Sequence, residues 1–350
     1  MGSLIKKKNL EDISKYPNSP NFKYKLTITK TNDPCSYTHL FEVYVSHKDN
    51  KTYIASKNYN HNIDIFDLLD NKKITSLKGH EGTINNIRYF INKKNYNEYL
   101  ISAELLNAQV IVWDITDNYN IKHKINTEYN HGIIFSSLLI FHFNNELDFI
   151  ITSTSNENIY YEKYACTKIY SLNDGEFIRN IKDSNKFPVY YLLSWYNKKK
   201  NKSYLIQFCA DNVIINDLLN DEIYAEINVE DNEHRYGIIL EKDNTEYLIY
   251  SSNWGSFVKY DLYKKSIVKV VNIKRQYTTN FIRWNNNFYI FSDSNDYAFF
   301  VFDSRTFKII SEYKSDSETS PCCVNKVYHP KYGECLLVLR KNGFLELWAA

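Results

Sequence analysis

Along this 350-residue chain, short runs of alternating apolar residues repeatedly end in an aromatic residue, usually followed by aspartate and another apolar residue. Seven runs can be read: Ile63-Asp64-Ile65-Phe66-Asp67-Leu68, Val110-Ile111-Val112-Trp113-Asp114-Ile115, Lys168-Ile169-Tyr170-Ser171-Leu172, Val213-Ile214-Ile215-Asn216-Asp217-Leu218, Phe257-Val258-Lys259-Tyr260-Asp261-Leu262, Phe300-Val301-Phe302-Asp303-Ser304 and Leu345-Glu346-Leu347-Trp348. Period-two alternation puts successive side chains on opposite faces of an extended chain, so each run predicts one β-strand with a fixed end. Runs of β-formers separated by Asn, Asp, Lys and Gly predict three more strands around each. In the second copy the four are Asn86 to Ile91, Tyr99 to Ala103, Val110 to Ile115 and Ile121 to Asn126; in the fifth they are Tyr236 to Glu241, Tyr247 to Ser251, Phe257 to Leu262 and Ile267 to Ile273. No helix-period segment of useful length interrupts them, and no helical domain is expected.

With the aromatic position of each motif as a mark, held by Asn216 in the fourth copy, the series Phe66, Trp113, Tyr170, Asn216, Tyr260, Phe302 and Trp348 has spacings of 47, 57, 46, 44, 42 and 46, which suit four strands per copy. Six residues before the mark stands Asn60, Asn107, Asp296 or Asn342, side chains that suit a tight turn between second and third strands. The spacing, the Trp113-Asp114 pair and the Gly79-His80 pair resemble the WD-repeat family over nearly the whole chain. That resemblance implies an all-β, seven-bladed β-propeller of four-stranded antiparallel blades over residues 22–350, with an N-terminal extension at 1–21. It also implies a buried network of His80, Ser102, Asn107 and Trp113 in the second blade, with Asn107 where the family has Asp. The seventh copy lacks an outer strand; Tyr24 to Ile28 is expected to supply it and so close the ring by pairing the two ends of the chain. An insertion at Asn156 to Tyr164 accounts for the 57-residue interval and is expected on the face where the loops between blades emerge.

Composition narrows the function classes. With 43% hydrophobic and 24% charged residues the chain can build a large core, and Tyr 31 and Phe 20 against Gly 9 favour strands. The Asn and Lys runs read as coding bias. A net charge of +2 does not mark a dedicated nucleic-acid binder. The six cysteines have no CxxC pair and read as reduced thiols. The apolar stretch Gly132 to Phe143 is too short to span a bilayer, so a cytoplasmic protein with no membrane span is expected. The nine histidines lack metal spacing, and Cys322, Cys323, His329 and Cys335 would ligate zinc only awkwardly, because adjacent residues on a strand point to opposite faces. No cofactor, metal or catalytic residue is assigned. Asp67, Asp114, Asp261 and Asp303 recur by blade and read as repeat structure. Lys6-Lys7-Lys8 and Lys198 to Lys202 read as solvated loop lysines, and Lys274-Arg275-Gln276 is a poor substitute for the phosphoinositide motif of some propellers. Phe302-Asp303-Ser304-Arg305 resembles the ending found on substrate receptors of cullin ubiquitin ligases; its plain reading is a solvated turn charge.

The function expected is a non-catalytic protein-interaction scaffold, a WD-repeat subunit of a multi-subunit assembly whose partners are other proteins. The candidate surface is the face of the mostly acidic interblade loops, with Asp183, Glu230, Asp231, Glu233 and Asp316 steering a basic partner and Phe187, Tyr236 and Trp254 anchoring it. The alternatives are a cullin-ligase substrate receptor, an axial-site propeller enzyme, and a phosphoinositide or nucleic-acid binder.

Overall fold

The computed structural model describes residues 6–9, 11–16, 18–30, 41–58, 60–105, 109–127, 134–143, 147–155, 167–181, 189–228, 234–252, 256–272, 278–285, 288–293, 297–303, 305–314 and 319–350. These form seven antiparallel sheets, called blades here, at residues 41–77, 84–126, 134–180, 189–228, 234–272, 278–314 and 321–349. Every mark lies in the third strand of its blade, and the strands read from the second and fifth copies fall at Ile84–Ile91, Glu98–Glu104, Gln109–Asp114 and Asn120–Asn126, and at His234–Lys242, Thr245–Ser252, Ser256–Asp261 and Ser266–Asn272.

Burial explains why the third strand is the legible one. Asn212–Asp217 and Ala298–Asp303 are buried at every position, whereas the outer strands Glu222–Asn228 and Ser266–Asn272 are mostly exposed. A strand covered on both faces favours apolar residues along its middle, with polar ones kept near its ends, while one at a sheet edge is free to take polar residues.

The end of the third strand is a repeated device. In blades one to six the residue after the mark accepts a hydrogen bond from a backbone N–H two or three residues on: Asp67 from Leu69 (2.9 Å), Asp114 from Asp117 (3.1 Å), Ser171 from Asn173 (3.3 Å), Asp217 from Leu219 (2.9 Å), Asp261 from Tyr263 (3.0 Å) and Asp303 from Thr306 (2.7 Å). The fourth residue after it then takes a left-handed backbone: Asn71, Asn118, Gly175, Asp221, Lys265 and Phe307, with φ between 51° and 78°. A carboxylate or hydroxyl that holds the turn, followed by one left-handed residue, returns the chain as the outer strand. Opposite the mark in blades two to six the outer strand carries one extra residue, a β-bulge, at Lys122, Ile178, Tyr224, Val268 and Ile310.

Two compact units are distinguished, one made of Met1–Thr38, Asp67–Lys72 and Arg235–Ala350, the other of His39–Phe66 and Lys73–His234. In the first, Lys23–Lys30 pairs antiparallel with Phe344–Ala349, setting Tyr24 opposite Trp348, so an N-terminal strand completes the seventh blade. The core of this unit gathers Phe22, Trp284, Phe299, Tyr313 and Trp348, with the Phe22 ring edge-on to Trp284 at 4.8 Å. Residues 6–9, inside the extension expected at 1–21, form a further strand: Lys6–Asn9 pairs with Ser311–Lys314 and gives blade six a fifth strand. Lys6-Lys7-Lys8 are therefore strand residues, a correction to their reading as loop lysines. In the second unit Ile101, Val112, Ile125, Leu138, Ile150 and Tyr170 build one core cluster, and Ile151, Ile169, Leu192, Leu205 and Ile214 another.

Candidate functional site

The buried polar chemistry concentrates around the tryptophan of blade two. Trp113 is 2% exposed and its indole N–H donates to Ser102 Oγ at 2.8 Å. Ser102 Oγ lies 2.6 Å from His80 Nε2, and His80 Nδ1 lies 3.0 Å from Glu104 Oε1, which also accepts the Glu81 backbone N–H at 2.7 Å. Donors and acceptors match in one direction when the imidazole is neutral: Trp113 to Ser102, Ser102 to His80 Nε2, His80 Nδ1–H to Glu104. Burial opposes charge on Glu104, but hydrogen bonds from His80 and the N–H groups of Glu81 and Gly82 outweigh it and hold the carboxyl down at about 2. Gly79 completes the site, since a Cβ there would stand 2.9 Å from the Trp113 ring.

A serine, a histidine and a carboxylate in this order have the hydrogen-bond logic of a nucleophilic triad. Here Ser102 is fully buried and its oxygen already accepts from Trp113, so the same logic serves as a tether. Asn107 lies outside the described residues, and Glu104, which sequence reasoning passed over, takes the acidic place in the network. Its signal was a Ser102-x-Glu104 spacing that puts both side chains on one face of a strand.

Blades seven and four solve the same problem with other residues. Trp348 donates to Glu346 Oε2 at 3.0 Å, and Arg340, with no exposed surface, donates to the same oxygen at 2.8 Å and to the carbonyl of Thr319 at 3.1 Å. In blade four the mark is Asn216, which accepts from Gln207 at 2.9 Å, while Gln207 accepts from Thr167 at 2.6 Å. The side-chain oxygen of the polar mark is thus satisfied within the core, while its Nδ2 is buried without a hydrogen-bond partner.

Of the expected partner-binding residues, Asp183, Phe187, Glu230, Asp231, Glu233, Trp254 and Asp316 lie outside the described residues, as do Asn156 to Tyr164 and Lys274-Arg275-Gln276. Tyr236 is buried at 6% exposure and belongs to the interior of blade five, so its ring is not presented to a partner. Lys202, from the basic hairpin of blade four, is tied to Asp217 at 2.9 Å. Arg305 is exposed, with Asp303 Oδ2 3.6 Å away. Cys322, Cys323, Cys335 and His329 are all buried. Cys323 pairs with Leu339 while Cys335 pairs with Val327, four residues along the strand, or roughly 13 Å. No group of three or more His, Cys, Asp or Glu among the described residues could hold a metal ion, and no helix among them is long and apolar enough to cross a membrane.

The outer strand of blade three is flanked by two clefts. One of about 620 Å³ is lined by Lys124, Thr127, Lys168, Tyr170, Phe177 and Asn180; the other, of about 160 Å³, is lined by Phe141, Phe149, Ile151, Ile178, Arg179 and Leu219.

Two solved structures carry the comparison with known proteins. The crystal structure of BBS1N in complex with ARL6DN, soaked with mercury, matches with a TM-score of 0.70 at 11% sequence identity, over 94% of this chain and 96% of that one. The same complex soaked with lead matches with a TM-score of 0.69 at 10% identity and the same coverage. The chain is a seven-bladed β-propeller. At these identities the likeness is one of fold. No family model and no curated protein matches the propeller in sequence.

Proposed function

We propose that this propeller is a non-catalytic protein-binding platform of the WD-repeat type. The observation that carries this reading is the contrast between its third and outer strands. The recurring acids are committed to turns or buried networks, while large apolar side chains stand exposed on the outer strands and their turns: Ile74, Phe177, Leu219, Ile223, Val268 and Val270 are 48% to 53% exposed. Exposed apolar groups on rigid elements are what a protein partner desolvates, and loops on such a scaffold add specificity. The BBS1N propeller, similar in fold, was crystallised in complex with another protein, ARL6DN, which agrees with this use of the architecture.

Affinity capture from the source cell at low and moderate salt, with mass spectrometry of what is retained, tests the reading. A reproducible set of stoichiometric partners is expected; none at either salt overturns it. The triple substitution Glu230→Lys, Asp231→Lys and Glu233→Lys then locates the surface. Loss of a partner assigns the interblade loops, and full retention assigns the outer edges.

A further inference from the structure

Outer strands are exposed sheet edges, and proteins normally guard such edges with charge. Blade one does so with Lys72 and Lys73, blade two with Lys122 and Lys124, and blade four with Glu222 and Glu226. Blade five does not. Its outer strand Ser266–Asn272 reads Ser-Ile-Val-Lys-Val-Val-Asn, with Ile267, Val268 and Val270 exposed at 44%, 52% and 48%. The one charge in it, Lys269, is turned sideways: its Nζ donates to the carbonyl of Thr306 at 3.2 Å and lies 5.2 Å from the centre of the Phe307 ring. β-Branched residues in an unguarded edge favour the pairing of another strand.

The chain itself performs that addition one blade further on. Lys6–Asn9 pairs antiparallel with Ser311–Lys314, the part of the blade-six outer strand that follows its bulge. The equivalent stretch of blade five is Lys269–Asn272, because Lys259 pairs with Lys269 as Val301 pairs with Ser311, each just beyond the bulge. Lys259, opposite Lys269 on the neighbouring strand, turns inward with its Nζ 3.9 Å from the centre of the Tyr247 ring, which leaves Lys269 as the charge of this edge. Two copies of this edge laid side by side in antiparallel register would bring their Lys269 side chains together, which disfavours self-pairing.

We propose that the outer edge of blade five, Ser266–Asn272, binds a protein partner by strand addition, taking an extended segment in which acidic side chains alternate with apolar ones. The acidic side chains meet Lys269 on one face, the apolar ones cover Val268 and Val270 on the other, and backbone hydrogen bonds supply the rest. The inference rests on the platform reading and names one surface of it.

The probe is a blocked nine-residue peptide of alternating valine and glutamate, with a valine–lysine peptide as control. The first should bind saturably to the full chain and slow amide hydrogen exchange within 266–272; the second should bind at least about tenfold more weakly, a difference of 1.4 kcal/mol. The exposed double variant Val268→Lys, Val270→Lys should lose about tenfold in affinity with an unchanged unfolding midpoint. Lys269→Glu should reverse the preference between the two peptides, a reversal that loss of stability alone would not produce. Absent binding of the valine–glutamate peptide, protection elsewhere than 266–272, or wild-type affinity in the double variant overturns the proposal. Full recovery of captured partners by the double variant would also remove this edge while leaving the platform reading intact, whereas capture failing with the wild-type chain sinks that reading alone.

Discussion

Trp113 shows how one residue position converts sequence into structure. Its ring fills the space above Gly79 and its N–H orients Ser102, so the position answers to packing and to hydrogen bonding at once. Trp113→Ala is expected to cost roughly 3 to 5 kcal/mol through the cavity and the orphaned hydroxyl; denaturant unfolding with an unchanged slope would measure it, and a change below about 1 kcal/mol would mean the network is not holding the blade. Glu104 gives the network a pH dependence with a definite sign. Its folded pKa, about 2, lies below the unfolded value near 4.5, so its contribution is complete above about pH 5 and is lost as pH falls from there towards 2. Glu104→Gln should cost on the order of 2 kcal/mol at pH 7 and much less at pH 2.5, so unfolding curves of the two proteins at both pH values should converge in acid. The tryptophan, the histidine and the serine were legible because family-like pairs surround them. Glu104, Arg340 and Glu346 were not, because a lone buried charge looks like any surface charge until its partner across the sheet is known.

At the scale of the element, the turn after the third strand is the repeat's most regular part, and half of it was written in the chain. The aspartate after the mark in five blades and Ser171 in the third were visible; the left-handed residue four places later was not, because Asn71, Asn118, Gly175, Asp221, Lys265 and Phe307 share no chemistry beyond the conformation they adopt. Asn and Gly occupy it cheaply, whereas a lysine does so at a cost of about 1 kcal/mol. Lys265→Asn is therefore expected to raise stability by up to about 1 kcal/mol, read as a higher thermal midpoint, and a decrease would show that the Lys265 side chain contributes more than its backbone conformation costs. Outer strands were read less surely than third strands, since partial exposure relaxes their composition and the bulge opposite the mark breaks their alternation. The fifth strand of blade six left no trace of period two in Lys6-Lys7-Lys8-Asn9. The loops chosen as a binding face were argued from acidic charge, nearby aromatics and the blade-three insertion, and the one of those aromatics that the structure describes, Tyr236, proved to be core.

For the whole molecule the decisive contact is the pairing of Lys23–Lys30 with Phe344–Ala349, foreseen because the last repeat lacked an outer strand while a spare alternating segment stood ahead of the first. Truncation separates the two N-terminal strands. Removing residues 1–10 takes away the fifth strand of blade six and should lower the thermal midpoint by a few degrees. Removing residues 1–30 exposes the edge of Phe344–Ala349 and strips Phe22 and Tyr24 from Trp284 and Trp348; cooperative unfolding should be lost and protease resistance with it. A sharp, wild-type-like transition in the longer truncation would show that closure is dispensable. The same pairing also sets a clock. Tyr24 is synthesised more than 300 residues before its partner Trp348, so at typical elongation rates the strand waits on the order of half a minute with a bare edge. The four repeat strands of every other blade come from neighbouring sequence, but the seventh blade, like the added fifth strand of blade six, joins residues about 300 positions or more apart, a slow and entropically costly closure. A chain cut short before Phe344 would carry a last blade that cannot shut, and the cell would meet that product as an exposed, sticky sheet.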